Sequence, residues 1–184
     1  AVIVEKELQS AFEKYMKANN CYFLNEDEIR KLTAYAFPEG KTSVNPDLVG
    51  KTANWIAEQA GLSVPADTKI LIAKLKGVGE NYPLSKEKLS PILAYYIVKD
   101  EKEGFTRAKE MLHTGGLGHS AAIHSTNAEI IAAYGEAMEV GRIIVNSPSS
   151  QGGIGDIYNE NTPSLTLGCG SFGKNSTTSN VSAM

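Results

Sequence analysis

Four places in this sequence carry side chains suited to chemistry. Cys169 lies in GCGSFG at 168–173, where a thiolate could act as a nucleophile. His119 closes GGLGH at 115–119, at a helix-to-strand junction where a proton-transfer residue could sit. Glu87 opens EKLSP at 87–91, just ahead of an apolar run, and its carboxylate could accept hydrogen bonds from ligand hydroxyls. The fourth is the long stretch 142–176, RIIVNSPSSQGGIGDIYNENTPSLTLGCGSFGKNS, an apolar strand that breaks into glycines and small hydroxylated residues. Backbone of that kind can approach a ligand closely because no Cβ intervenes. The stretch reads as a site-forming loop carried by the elements before it.

Each of these has a plainer reading. The 168–173 segment matches the G-x-G-x-x-G dinucleotide fingerprint, which needs a strand before it and a helix after it. The continuation at 174–180, KNSTTSN, is a poor helix former, so a tight glycine-rich loop or edge strand is preferred. A reactive thiol needs a cation, a helix N-terminus or a paired histidine. The only cation near Cys169 in sequence is Lys174, and Cys169 is read as a small, buried or half-buried residue. Cys21, beside Tyr22 and Phe23, reads as core. His113, His119 and His124 lack the i, i+4 spacing of a zinc helix, and no CxxC accompanies them, so no metal site is expected. His119 reads equally as a structural or a proton-transfer residue, and Glu87 equally as a loop charge or a hydroxyl acceptor.

The elements that must position these groups come from a chain of 184 residues, 42% hydrophobic and 21% charged, sized for one soluble globular domain. A net charge of -3 and the lack of any long basic run exclude a nucleic-acid field, and no apolar run approaches a membrane span. Two widely separated cysteines fit a reducing cytoplasm. The abrupt start at AVIVEKEL and the stop in a Ser/Thr/Asn-rich stretch read as the ends of a piece excised from a longer protein.

Periodicity predicts a strand at 1–4 and a helix over 5–19 with Leu8, Phe12 and Tyr15 on one face. An extended piece at 21–24 leads to a helix opened by an Asn25/Glu28 capping box. A third helix is expected from Asn45 and Pro46 to Gly61, burying Val49, Ala53, Ile56 and Ala57. Strands are expected next at 69–75 and 92–98, the latter buried on both faces. Asp100 and Glu103 cap a helix ended by Gly115 and Gly116; a strand spans 120–124; Thr126 and Glu129 open another helix ended by Gly141; and 142–146 is the last strand. The β-α-β-α-β order from 92 onward predicts parallel strands with helices on both faces, an α/β fold. Residues 1–146 form the α/β subdomain and 147–184 the glycine-rich active-site and oligomerisation segment.

Taken together, EKLSP at 87–91, GLGHS at 116–120, RIIVNSPSSQGGIGD at 142–156 and SLTLGCGS at 164–171 resemble the coenzyme-A-acylating aldehyde dehydrogenases. They are most like the acetaldehyde dehydrogenase half of the bifunctional aldehyde–alcohol members. VPADTKILI at 64–72 and CYFLNE at 21–26 extend the likeness over nearly the whole chain. The resemblance implies the catalytic domain of the aldehyde dehydrogenase fold, with a mostly parallel sheet and flanking helices. It implies a thiolate that attacks the aldehyde, hydride transfer to NAD, and capture of the enzyme thioester by coenzyme A.

The family's nucleophile and its cofactor domain would then lie upstream of Ala1, leaving Cys169 without that role and the isolated chain inert. Glu87 matches the Glu of the family's E-x-F-G-P motif, which holds the nicotinamide ribose hydroxyls. Leu89 replaces the motif's aromatic at the cofactor and Ser90 its glycine, as is usual in the acylating branch. His119 matches that branch's active-site histidine, proposed to move protons during thioester exchange. Ser149, Gly152 and Ile154 are expected to line the aldehyde tunnel. The resemblance also implies a cytoplasmic homo-oligomer, dimer or filament, acting on small aldehydes. The rivals are a hydrolytic aldehyde dehydrogenase, argued against by Leu89, Ser90 and His119, and a non-catalytic assembly or ligand-binding fragment.

Overall fold

The structure is a computed structural model that describes residues 1–41, 43–156 and 159–160. It divides into two compact units, Ala1–Arg107 and a second that starts at Ala108. The compositional change at 146 marks where periodic sequence gives way to glycine-rich sequence and is a separate boundary. The class is α/β, as expected.

In the first unit β1 (Val2–Glu5) leads through a 3₁₀ turn into α1 (Gln9–Ala18), followed by β2 (Cys21–Phe23), α2 (Glu26–Ala36), α3 (Ala53–Gln59), β3 (Ile70–Lys74) and β4 (Ile92–Val98). The four strands form one parallel sheet in the order β1-β4-β3-β2. Side chains alternate across the sheet with period two. On β3, Leu71 and Ala73 pack with Leu32, Ile56 and Ala57 of α2 and α3. Ile72 turns the other way, to Val4, Tyr95 and the α1 residues Phe12 and Met16. Helices therefore cover both faces, and β4 is buried on both, as its apolar run predicts. Each fully buried Leu or Ile contributes about 2 kcal/mol of transfer free energy.

The capping box expected at α2 is present. Asn25 Oδ1 accepts from the Glu28 amide at 2.9 Å, and the Glu28 carboxylate accepts from the Asn25 amide at 2.8 Å. The third helix differs from expectation. Asn45 caps only a 3₁₀ turn, Pro46–Leu48, and α3 starts afresh at Ala53 with Thr52 accepting from the Trp55 amide at 3.3 Å. Gly50, at φ +73, separates the two, because that backbone conformation is not helical. Val49, expected inside, is consequently 42% exposed.

The second unit holds β5 (Gly118–Ile123), α5 (Ala128–Ala137), β6 (Val140–Val145) and a single turn, α6 (Ser149–Gly152). Helix α4 (Glu101–Gly115) contains the boundary between the units. Strands β5 and β6 pair in parallel, as the sequence order predicts, but in a sheet of their own rather than beside β4. Asn127, not Thr126, caps α5: its side chain accepts from the amides of Glu129 and Ile130 at 2.9 and 3.3 Å. Gly141 lies within β6 and does not end the helix, which stops at Ala137.

Candidate active site

The expected site residues fall on both units, and each unit has its own supporting geometry. In the first, Glu87, Leu89 and Ser90 occupy the turn between a 3₁₀ piece, Pro83–Ser85, and the start of β4. Glu87 is exposed, and its carboxylate makes no ion pair among the described residues. Leu89 is 59% exposed and held at φ +48, a left-handed conformation uncommon for a residue with a bulky side chain. Its carbonyl accepts from the Gly50 amide at 3.2 Å. The Ser90 hydroxyl is buried and has no hydrogen-bond partner among the described residues.

Between these exposed residues Lys88 turns inward. It is 7% exposed, and its ammonium donates to the carbonyls of Leu84 and Lys86. Burial lowers its pKa to about 8, against the opposing pull of the Glu87 carboxylate. No periodicity marks this lysine for burial, since its neighbours Glu87 and Leu89 are both exposed, and nothing in the sequence singles it out.

In the second unit His119 is exposed, on the second residue of β5. Gly118, at φ +91 and buried, makes the entry into the strand, and its amide donates to the Glu139 carbonyl at 3.0 Å. His113 is tied to the Glu139 carboxylate at 3.1 Å, so it plays a surface role apart from His119. Helix α6 packs on β5, which brings Ser149 and Gly152 to the strand that bears His119. Gly152 is buried so tightly that a Cβ there would come 2.5 Å from Cγ2 of Ile144. Ser149 is exposed and Ile154 is 43% exposed.

Asn146, read in the sequence only as the end of the last strand, clamps the ends of β5 and β6. Its side chain accepts from the Ser125 amide and donates to the Ser125 carbonyl, both at 2.9 Å. Asn followed by Ser-Pro at the end of an apolar run is the sequence signal that could have found it, because Asn tolerates the left-handed region, and Asn146 does sit at φ +51.

Cys21 is buried, and burial pushes its thiol pKa up against the opposing effect of Lys69, the reverse of what a nucleophile needs. Cys169 lies outside the described residues. Among the described residues no group of three His, Cys, Asp or Glu side chains could hold a metal ion. No helix among them is long and apolar enough to cross a membrane. A cleft of about 370 Å³ between α2 and residues 81–84 is walled by Ile29, Thr33, Tyr82 and Leu84, and none of the expected site residues lines it.

No protein-family model matches the chain. It is 48% identical to the aldehyde-alcohol dehydrogenase of Streptococcus pneumoniae over 191 aligned residues, covering 100% of this chain and 22% of that protein. It is 44% identical to aldehyde-alcohol dehydrogenase 2 of Entamoeba histolytica, covering 98% of this chain and 22% of that protein. The chain thus spans about a fifth of the length of these relatives. Its fold matches the crystal structure of an acetylating aldehyde dehydrogenase from Geobacillus thermoglucosidasius with a TM-score of 0.91 at 43% identity, over 97% of this chain and 39% of that one. In sequence and in fold alike, the chain is similar to a segment of the aldehyde-alcohol dehydrogenases and of an acetylating aldehyde dehydrogenase.

Proposed function

We propose that this chain is part of an acetylating acetaldehyde dehydrogenase that interconverts aldehyde, coenzyme A and NAD with acyl-CoA and NADH through an enzyme thioester. The observation that carries the reading is the 48% identity over the entire chain to an aldehyde-alcohol dehydrogenase. In this reading the thiolate comes from elsewhere in the full-length protein, as the resemblance implies, and Cys21, buried with a raised pKa, is unsuited to the role. NAD, when bound, supplies the hydride acceptor.

The residues present fit such a nucleotide. Glu87 offers an exposed carboxylate without an ion-pair partner among the described residues, a suitable acceptor for the two vicinal hydroxyls of a ribose. Leu89 offers an exposed apolar side chain two residues on. His119, at the head of β5, serves as the proton carrier: it takes the thiol proton of coenzyme A as the thioester is exchanged and returns it in the reverse direction. Ser149, Gly152 and Ile154 contribute to the aldehyde's path, and residues 147–184 combine this role with assembly into a homo-oligomer. The working compartment in this reading is the cytoplasm.

The test is acyl-CoA formation by the full-length protein from acetaldehyde, NAD and coenzyme A. His119→Ala is expected to lose about 100-fold or more, the range of general acid–base catalysis, while Cys169→Ala stays active. A dead Cys169→Ala variant would overturn the placement of the nucleophile. Full activity in His119→Ala would remove that histidine from the mechanism.

A further inference from the structure

Lys88 is an expensive residue to bury, and the proposed reaction gives it no part in the chemistry. A lone ammonium leaves water only where something satisfies it, and here two carbonyls, of Leu84 and Lys86, converge on Nζ. Both belong to the segment that leads into the turn. Leu84 is 1% exposed and anchored in the core, so the lysine fastens the turn to a fixed point. The residues on either side of Lys88 respond to its inward course. Glu87 and Leu89 are both exposed, and Leu89 takes φ +48 to let the chain turn back toward β4. Backbone strain of that kind persists only where the surroundings over-determine it.

We propose that Lys88 is a positioning residue for the pyridine nucleotide: by gripping the Leu84 and Lys86 carbonyls from inside the turn, it sets Glu87 and Leu89 at the surface in the arrangement that meets the nicotinamide ribose. The inference rests on the reading of Glu87 as the ribose acceptor. Burial of the ammonium, and its depressed pKa, agree with a lysine whose work is done by donated hydrogen bonds rather than by surface charge.

The experiment uses the full-length protein with Lys88→Met, Glu87→Gln and the double variant. NADH affinity is read by fluorescence titration, KM for coenzyme A by steady-state kinetics, and amide exchange over residues 84–90 without nucleotide by mass spectrometry. Lys88→Met is expected to weaken NADH binding about tenfold, leave KM for coenzyme A within twofold, and speed exchange in the turn tenfold or more. Combined with Glu87→Gln it should add little, because a residue acting through another is not additive with it.

Weak binding in Glu87→Gln with unchanged binding and exchange in Lys88→Met would overturn the role of Lys88 and leave that of Glu87 intact. Unchanged binding in Glu87→Gln would overturn the ribose assignment itself. Fully additive losses would show that Lys88 acts independently of Glu87, against the proposal. Should Lys88→Met fail to fold, Lys88→Gln, which keeps a donor on a shorter stem, is read the same way: a severalfold loss of NADH affinity supports the proposal and none overturns it.

Discussion

Tyr95 and Tyr96 are neighbours on β4, yet opposite faces of the sheet hold them by different chemistry. Tyr96 donates to the Gly77 carbonyl at 3.2 Å with the Arg107 guanidinium 5.2 Å from its ring centroid. Tyr95 is fully buried, stacked on Phe12 at 5.4 Å, and its hydroxyl donates to the Glu13 carboxylate at 3.3 Å. Burial first, then the Glu13 charge and hydrogen bond, push its pKa from 10.0 up to about 12. The folded state therefore holds this proton more tightly than the unfolded state does. The stability it contributes is fully present below pH 10 and is lost as pH rises from 10 through about 12. Urea midpoints of the wild type should fall more steeply across that window than those of Tyr95→Phe. Tyr22, Tyr35 and Tyr134 also have raised pKa values and stay in both proteins, so the difference between the two curves is the quantity to read. Parallel curves would mean that Tyr95 ionises as readily as an exposed phenol and that the Glu13 contact opens at alkaline pH.

At the scale of an element, α6 shows two opposing effects that magnitudes can separate. Alanine is the better helix former, by about 1 kcal/mol over glycine. At Gly152, however, the new Cβ would lie 2.5 Å from Cγ2 of Ile144, a branched methyl on a side chain only 3% exposed, so it has little room to move. Overpacking of that kind costs about 1–3 kcal/mol, so Gly152→Ala should destabilise despite the gain in propensity. Gly135 in α5 is the control: nothing lies within 4 Å of a Cβ there, and Gly135→Ala should stabilise by about 0.5–1 kcal/mol. Thermal melts of the two variants with shifts of the same sign would refute the close-packing account of α6.

The same contrast explains what the sequence made legible. Strands β3 and β4, the α2 capping box and the parallel order could be read because periodicity and capping are local signals. The split of the third helix at Gly50 and the shift of a cap from Thr126 to Asn127 depended on backbone geometry that several residue types can satisfy. Glu87 and His119 stood out by residue type and position, their roles and Leu89 came from motif resemblance, and the structure leaves all three exposed. Lys88 was illegible because only the surrounding fold makes a lysine an interior residue.

At the scale of the molecule, the apolar interior formed by the described residues is unevenly shared. Both hydrophobic clusters lie within Ala1–Arg107, built on a four-stranded sheet covered on its two faces. In the second unit the buried hydrophobic residues among those described are Tyr134, Met138, Val140 and Ile144, and the described residues form a sheet of two strands. A two-stranded pairing has little stability of its own and depends on the helices packed against it. Local opening free energies track how much apolar surface must be exposed to break the backbone hydrogen bonds. Native-state hydrogen exchange on the 184-residue chain should therefore find β5 and β6 amides exchanging through a smaller opening than those of β3 and β4. A tenfold difference in protection corresponds to about 1.4 kcal/mol, and at least that much is expected. His119 would then stand on the less stable support and Glu87 beside the more stable one, so mild urea should loosen the histidine's strand while the Glu87 turn is still protected. Equal protection of β5 and β3 would instead mean that both units open in one cooperative step, and the histidine's support would be as firm as the sheet beneath Glu87.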